Sequence, residues 1–228
     1  MASQRPTTTF CWLPPDSYSR SRFAALLTER GDDPEVARAV GQVRELTGAP
    51  DAGTAEVEKT LNAWLDEDRK ATPLKTLQGL IWSEGFARGD LVSHFYDDVV
   101  PELRAWHAAG VRLYVYSSGS VAAQRAWFTN SPEGDLTSLV SGLYDTENAG
   151  AKQEPASYRR IAESAGIPGE RLLFLSDRPG ELDAARAAGW FAVGIRRPGE
   201  PYYEQGVGDH AQAGTFDDIS ISTPGSST

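Results

Sequence analysis

Apolar positions along the chain follow one period up to about residue 95 and another after residue 110. In the first stretch they recur at helical spacing. Phe23, Leu26 and Leu27 share a face, with Gly31 as a stop. Residues 34–47 open on Pro34 and carry a Val36, Val40, Val43 stripe. The Gly- and Pro-containing run 48–53 reads as a loop. Residues 54–71 place Val57, Leu61, Trp64 and Leu65 on one helical face. The next helix spans 72–84, with Thr72 as N-cap and Pro73 at its first position. The block 16–95 is therefore predicted to be almost wholly helical.

The second stretch alternates strands with helices. Residues 99–109 read as a helix, 111–120 ("VRLYVYSSGS") as a β-rich run, 121–128 as a helix and 139–146 as a short strand or turn. Helix 155–166 ends on Gly166, strand 171–177 follows, and helix 180–189 leads to strand 190–199. Such alternation predicts a parallel α/β sheet with helices on both faces. Upstream, "TTFCWLPPDSY" (8–18) reads as a buried first strand running into a turn. The expected fold is a doubly wound α/β core from residues 7–15 and 96–220. A helical domain, 16–95, is inserted after the first strand, and 221–228 form a flexible Ser-, Gly- and Pro-rich tail. Ligands in such sheets bind beyond the carboxyl ends of the strands, which directs attention to 13–18, 117–120 and 176–181.

Composition narrows the function. A net charge of −10 argues against a nucleic-acid or anionic-membrane surface. No apolar run approaches the roughly 20 residues that span a bilayer. The first ten residues have no apolar stretch before Phe10, so they do not read as a secretory signal. The single cysteine, Cys11, excludes an intrachain disulfide and reads as a small buried hydrophobe. A cytoplasmic monomer acting on a small molecule is the expectation.

Three polar features stand at predicted strand ends. Ser117, Ser118, Gly119 and Ser120 follow "LYVY", where hydroxyls and backbone N–H groups can cradle an anion, although serine is also an ordinary helix cap. Lys152 lies in a Gly/Ala loop before a Pro-started helix and can reach a phosphate as a point charge. Asp177 ends an apolar strand, as a cap or as a ligand for a hard cation such as Mg²⁺. Glu181, one turn later, can orient Lys152 or a metal-bound water. Gln78 and Trp82 are candidates to face a ligand, while Trp64 and Phe86 read as packing. His94 and His107 read as surface or capping residues, and His210 falls in the tail region. Tyr202 and Tyr203 could cover a pocket edge.

Strand-then-Ser, loop Lys and strand-then-Asp, in that order, resembles the second, third and fourth motifs of the haloacid dehalogenase (HAD) superfamily. Within it the chain is similar to the enolase-phosphatases (acireductone synthases). The resemblance is carried by "LKTLQGLIWSEGF" (74–86), "HFYDDVVPEL" (94–103), "LYVYSSGSVAAQRAWF" (113–128), "GDLTSLVSGLYDT" (134–146), "GAKQEPASYRRIAE" (150–163) and "LLFLSDRPGELDAAR" (172–186). It implies a HAD core with a helical cap after the first strand, phosphate contacts from Ser117, Ser118 and Lys152, and Mg²⁺ ligation by Asp177. Family members enolise a diketo phosphate and then hydrolyse it, using an aspartate nucleophile and an acidic residue two positions on.

One segment departs from the family. Where its first strand runs into Asp-x-Glu-Gly-Thr-Thr, this chain has Leu-Pro-Pro-Asp-Ser-Tyr-Ser, and no Asp-x-Glu or Asp-x-Asp lies between Thr7 and Gly31. Asp16 is the one candidate nucleophile there, and its +2 neighbour is Tyr18, not a comparable acid at neutral pH. Two consecutive prolines remove N–H donors where a phosphate-binding turn wants them. The expectation is accordingly an enolase-phosphatase-like enzyme that has lost aspartyl phosphoryl transfer. It would act by proton transfer on a small anionic or enolisable metabolite, with a weakened Mg²⁺ site and no organic cofactor. The alternatives are an active Mg²⁺-dependent enolase-phosphatase with Asp16 as nucleophile, and a non-catalytic ligand- or partner-binding protein.

Overall fold

The structure, a computed structural model, describes residues 16–67, 69, 71–200 and 202–221. The predicted first strand with Cys11, the Pro14-Pro15 turn and residues 222–228 of the predicted tail lie outside the described residues. The chain divides into two compact units, to which residues 16–92 and 93–221 belong.

The first unit is helical. It contains α1 (Asp16–Arg20), α2 (Phe23–Glu29), α3 (Pro34–Thr47), α4 (Thr54–Asp66) and α5 (Thr72–Ala87). Asp33 accepts the Glu35 N–H at 2.9 Å and starts α3, so the Asp33-Pro34-Glu35 triplet serves as a helix cap. Gly48, at φ +65°, ends that helix in the left-handed conformation that costs glycine nothing. Two details differ from the sequence reading. Ala39 rather than Val40 joins Val36 and Val43 in the core, because a strict 3.6-residue period carries the buried line through position 39. The N-cap of α5 is Ala71, with Thr72 already helical. Helix α5 buries Leu74, Leu77, Gln78, Ile81, Trp82 and Phe86, and it packs against α1, α2 and α3. A helix apolar over most of its girth is the centre of its unit. The helical block stops at Ala87, and turns and irregular backbone occupy 88–98.

The second unit is the α/β core. It runs α6 (Val99–Ala108), β1 (Leu113–Tyr116), α7 (Val121–Thr129), β2 (Val140–Tyr144), α8 (Pro155–Ala165), β3 (Leu173–Ser176), α9 (Pro179–Ala187), β4 (Phe191–Ile195) and β5 (Ala211–Ala213). Strands β1 and β2 pair in parallel, with Tyr116 opposite Tyr144. Strands β3, β4 and β5 form a second parallel set, with Ser176 opposite Gly194. Residue 194 must be glycine, because a Cβ there would lie 2.5 Å from Val207. Tyr158, fully buried, joins the two sets: its ring meets those of Tyr116, Phe174 and Trp190 edge-on at 5.5, 5.0 and 5.5 Å.

The last segment is anchored, not loose. Arg197 grips Asp98 with two hydrogen bonds of 2.8 and 2.6 Å, and the Phe216 N–H donates to the same carboxylate at 2.7 Å. Phe216 stacks on Trp106 at 5.3 Å. His210, assigned to the tail region from sequence, is buried with Nε2 3.0 Å from Asp183 Oδ1. Strand β5 had no sequence signal, because three residues of Ala-Gln-Ala are too short and too mixed to show a period.

Candidate active site

Parallel β1 and β3 point their carboxyl ends the same way as their partners, and each runs into a polar turn. After β1, Ser117 N–H donates to the Tyr144 carbonyl at 3.0 Å, and Ser117 Oγ accepts the Gly119 N–H at 3.1 Å. Ser120 caps α7 through the Ala123 N–H. Asp145, at the end of β2, completes the cap: its Oδ2 accepts the Val121 N–H at 2.9 Å and its Oδ1 the N–H groups of Glu147 and Asn148, each at 2.9 Å. Gln124 Nε2 donates to the carbonyls of Gly119 and Tyr144, both at 2.8 Å. Gly119 thus has its N–H and its carbonyl committed inside the turn. The hydroxyl oxygens of Ser117 and Ser120 are likewise committed, each accepting a backbone N–H within the turn.

After β3 the polar groups converge. Glu181, in the first turn of α9, is buried, and its Oε2 receives both Lys152 Nζ at 2.7 Å and the Ser176 hydroxyl at 2.9 Å. Ser176 Oγ in turn accepts the Arg178 N–H at 3.2 Å, which fixes its proton toward Glu181. Lys152 Nζ also stands 5.8 Å from the centre of the Tyr116 ring, so the loop lysine spans from the β1 side to the β3 side. Asp177 is buried at the strand end beside this group. Arg178, one residue further, lays its guanidinium 4.5 Å over the Tyr202 ring.

Sequence reasoning named Lys152, Asp177 and Glu181, and the fold brings these three to one rim. It missed Ser176 and Asp145, whose roles depend on partners 5 and 24 residues away that no local pattern marks. Three further named residues, Asp16, Gln78 and Trp82, sit in the helical unit. Asp16 opens α1, and its Oδ1 accepts from Gln78 Nε2 at 2.9 Å. Tyr18 donates its hydroxyl to Asp90 at 3.0 Å, and burial followed by that hydrogen bond pushes its pKa up. Trp82 is buried, and its Nε1 has no hydrogen-bond partner among the described residues.

A model of the haloacid dehalogenase-like hydrolases matches residues 20–189, beginning after Asp16. The chain is 80% identical over 204 residues to enolase-phosphatase E1 of Streptomyces avermitilis, covering 90% of this chain and 85% of that one. The chain belongs to the enolase-phosphatases of the HAD superfamily. The Frankia alni enolase-phosphatase E1 is 50% identical over 204 residues, with 90% of this chain and 86% of that one covered. Among solved structures, the UTR4 protein of Saccharomyces cerevisiae superposes with a TM-score of 0.73 at 27% identity over 90% of each chain. The family membership makes this an enzyme of HAD type with parallel sheets and accompanying helices. The expected loss of phosphoryl transfer finds no support in the Streptomyces and Frankia relatives, both named enolase-phosphatases.

A divalent cation fits the rim only in a limited way. Among the described residues no three His, Cys, Asp or Glu side chains gather as a metal cluster. Asp177, the carboxylate that the sequence puts forward for Mg²⁺, is buried at the end of β3, while Oε2 of Glu181 is engaged by Lys152 and Ser176. One carboxylate is enough for Mg²⁺ when substrate phosphate supplies further oxygens.

Proposed function

We propose that this protein is a Mg²⁺-dependent enolase-phosphatase that enolises a 2,3-diketo phosphate and releases its phosphate. The observation that carries this reading is the Lys152–Glu181–Ser176 group, next to Asp177 in the chain, with Lys152 also lying over Tyr116, the residue that leads into the Ser117–Ser118 turn. Lys152 binds the phosphate dianion, and the serine hydroxyls donate to its oxygens. Asp177 holds the Mg²⁺, which on binding neutralises phosphate charge. Glu181 keeps Lys152 aimed. In the hydrolytic step a carboxylate attacks phosphorus and the P–O bond to the enol breaks, leaving a phosphoaspartate that water hydrolyses. Asp16, the only Asp or Glu among residues 1–28, takes the nucleophile's place in this reading.

A second reading keeps enolisation and omits phosphoryl transfer. It is favoured by the Leu-Pro-Pro-Asp-Ser-Tyr-Ser turn and by the Asp16 carboxylate being engaged by Gln78. One experiment separates the two. Inorganic phosphate and the enol chromophore are followed together with a 2,3-diketo phosphate and Mg²⁺, for the wild type and Asp16→Asn. Phosphate release lost in Asp16→Asn supports the first reading with its nucleophile. Release that persists in Asp16→Asn removes Asp16 from the mechanism. Enol formation without phosphate establishes the second reading, and absence of both products overturns the pair.

A further inference from the structure

The loop that carries Lys152 has no secondary structure of its own, so its backbone carbonyls must find partners elsewhere or face water. Three consecutive carbonyls are each taken by a side-chain hydroxyl. The Tyr116 hydroxyl donates to the Gly150 carbonyl at 2.7 Å, Ser157 Oγ to Ala151 at 2.8 Å, and the Tyr158 hydroxyl to Lys152 at 2.7 Å. Arg160 Nη1 takes the preceding carbonyl, that of Ala149. The donors come from rigid elements, Tyr116 from β1 and the others from α8.

The anchor points are themselves immobile. Tyr158 is fully buried and ringed by three aromatic neighbours, and Ser157 is buried beside it. Gly150 stands at φ +108°, and a Cβ there would lie 2.6 Å from Ser157 Oγ and 2.9 Å from Arg160 Nη1. No other residue fits this bend without displacing two of the donors. Burial first, and the nearby Glu181 charge second, raise the pKa of both Tyr158 and Tyr116, although a Ser157 hydrogen bond opposes the rise at Tyr116. Both phenols stay protonated as donors through the neutral range.

Resting on the reading above, we propose that Tyr116, Ser157 and Tyr158 are positioning residues for Lys152, a three-hydroxyl clamp that holds the loop backbone so that the ammonium meets the phosphate without reorganising. Each hydroxyl donates to a backbone carbonyl of the loop, and Ser157 also bonds Tyr116 within the clamp, so their effect on catalysis passes through the position of Lys152. Misplacing a binding group by about an ångström costs roughly 100-fold in rate; loss of a hydrogen bond that orients a metal ligand costs roughly 10–100-fold, and the same scale is expected for bonds that orient Lys152.

The test uses Tyr158→Phe, Ser157→Ala and Tyr116→Phe in the full chain. Each is made in the wild type and in a Lys152→Met background. Binding of inorganic phosphate is measured by calorimetry, and acylation of Lys152 by an amine-reactive ester is timed by peptide mass spectrometry. The expected result is roughly 10-fold weaker phosphate binding for each single variant, a changed Lys152 acylation rate, and no further loss of phosphate affinity in the Lys152→Met background. Equal losses with and without Lys152 would overturn the clamp, as would unchanged acylation. Neither readout needs turnover, so a chain that releases no phosphate from a diketo phosphate defeats the proposed function while leaving this test intact. If Tyr158→Phe fails to fold, Ser157→Ala, which removes one exchangeable oxygen and leaves the aromatic cluster whole, decides the matter.

Discussion

Lys152 Nζ and the Ser176 hydroxyl meet on the same oxygen of Glu181, at 2.7 and 2.9 Å. One carboxylate oxygen therefore links the loop before α8 with the end of β3. Because Glu181 is buried, the pair experiences less screening than a surface ion pair.

Glu181→Gln tests what that oxygen does. The amide cannot balance the ammonium charge, and it removes a negative group from the phosphate's surroundings. Inorganic phosphate is expected to bind more tightly while kcat falls by roughly 10-fold or more, because the lysine loses its fixed aim. Titration calorimetry and steady-state kinetics with a diketo phosphate read the two effects separately. A parallel fall in both would contradict this division of roles.

Asp145 governs the other half of the rim. Its two oxygens accept three backbone N–H groups, one of them at the start of α7 and therefore at the end of the Ser117–Ser120 turn. Asp145→Ala is expected to lower stability by about 1–3 kcal/mol, combining a lost cap with buried donors left unpaired. KM for the phosphorylated substrate should rise as the turn loosens. Denaturant unfolding and kinetics check the two parts.

The Asp98–Arg197 pair predicts an acid-sensitive fold. Burial alone would raise the Asp98 carboxyl, but Arg197 and the Phe216 N–H outweigh it and hold its pKa below the ordinary value. A depressed folded pKa means that the contribution is complete above about pH 4 and fades as pH falls through the folded value. Asp98→Asn leaves a buried guanidinium without its counter-charge, and a loss of about 3 kcal/mol at neutral pH is expected. Thermal unfolding between pH 3 and 7 should show a shallower acid-side decline in the variant than in the wild type.

Gln78 separates structure from recognition in the helical unit. Its bond to Asp16 involves an exposed carboxylate that water can satisfy instead. Gln78→Leu is therefore expected to change stability by no more than about 1 kcal/mol. A rise in KM at near-constant stability would assign the residue to substrate; unchanged KM would leave it as a helix-to-helix tie. The comparison needs only a melting curve and initial rates.

Much of this fold can be read from period alone. The buried faces of α3 and α4 follow a 3.6-residue repeat, and the apolar runs at 113–116 and 173–176 are strands because they are short and end in polar turns. Gly48 and Gly166 stop their helices in left-handed backbone that a sequence reader can anticipate. The order of Ser, Lys and Asp motifs also identified the family, since spacing between strand ends is a property of the chain.

Other features needed the third dimension. That Glu181 shares one oxygen between Lys152 and Ser176, that Asp145 caps a helix 24 residues before it, and that three hydroxyls hold the Lys152 loop follow from where parallel strands bring distant segments together. Hydrogen bonds are short-ranged and directional, so partners far apart in sequence leave no periodic trace in it. Period and punctuation along the chain set the helices and most of the strands, though not β5, and motif order set which residue types stand at the strand ends. The tertiary structure alone decided which of those groups touch, because that depends on register, crossover and the packing of Tyr158 between the two parallel sets.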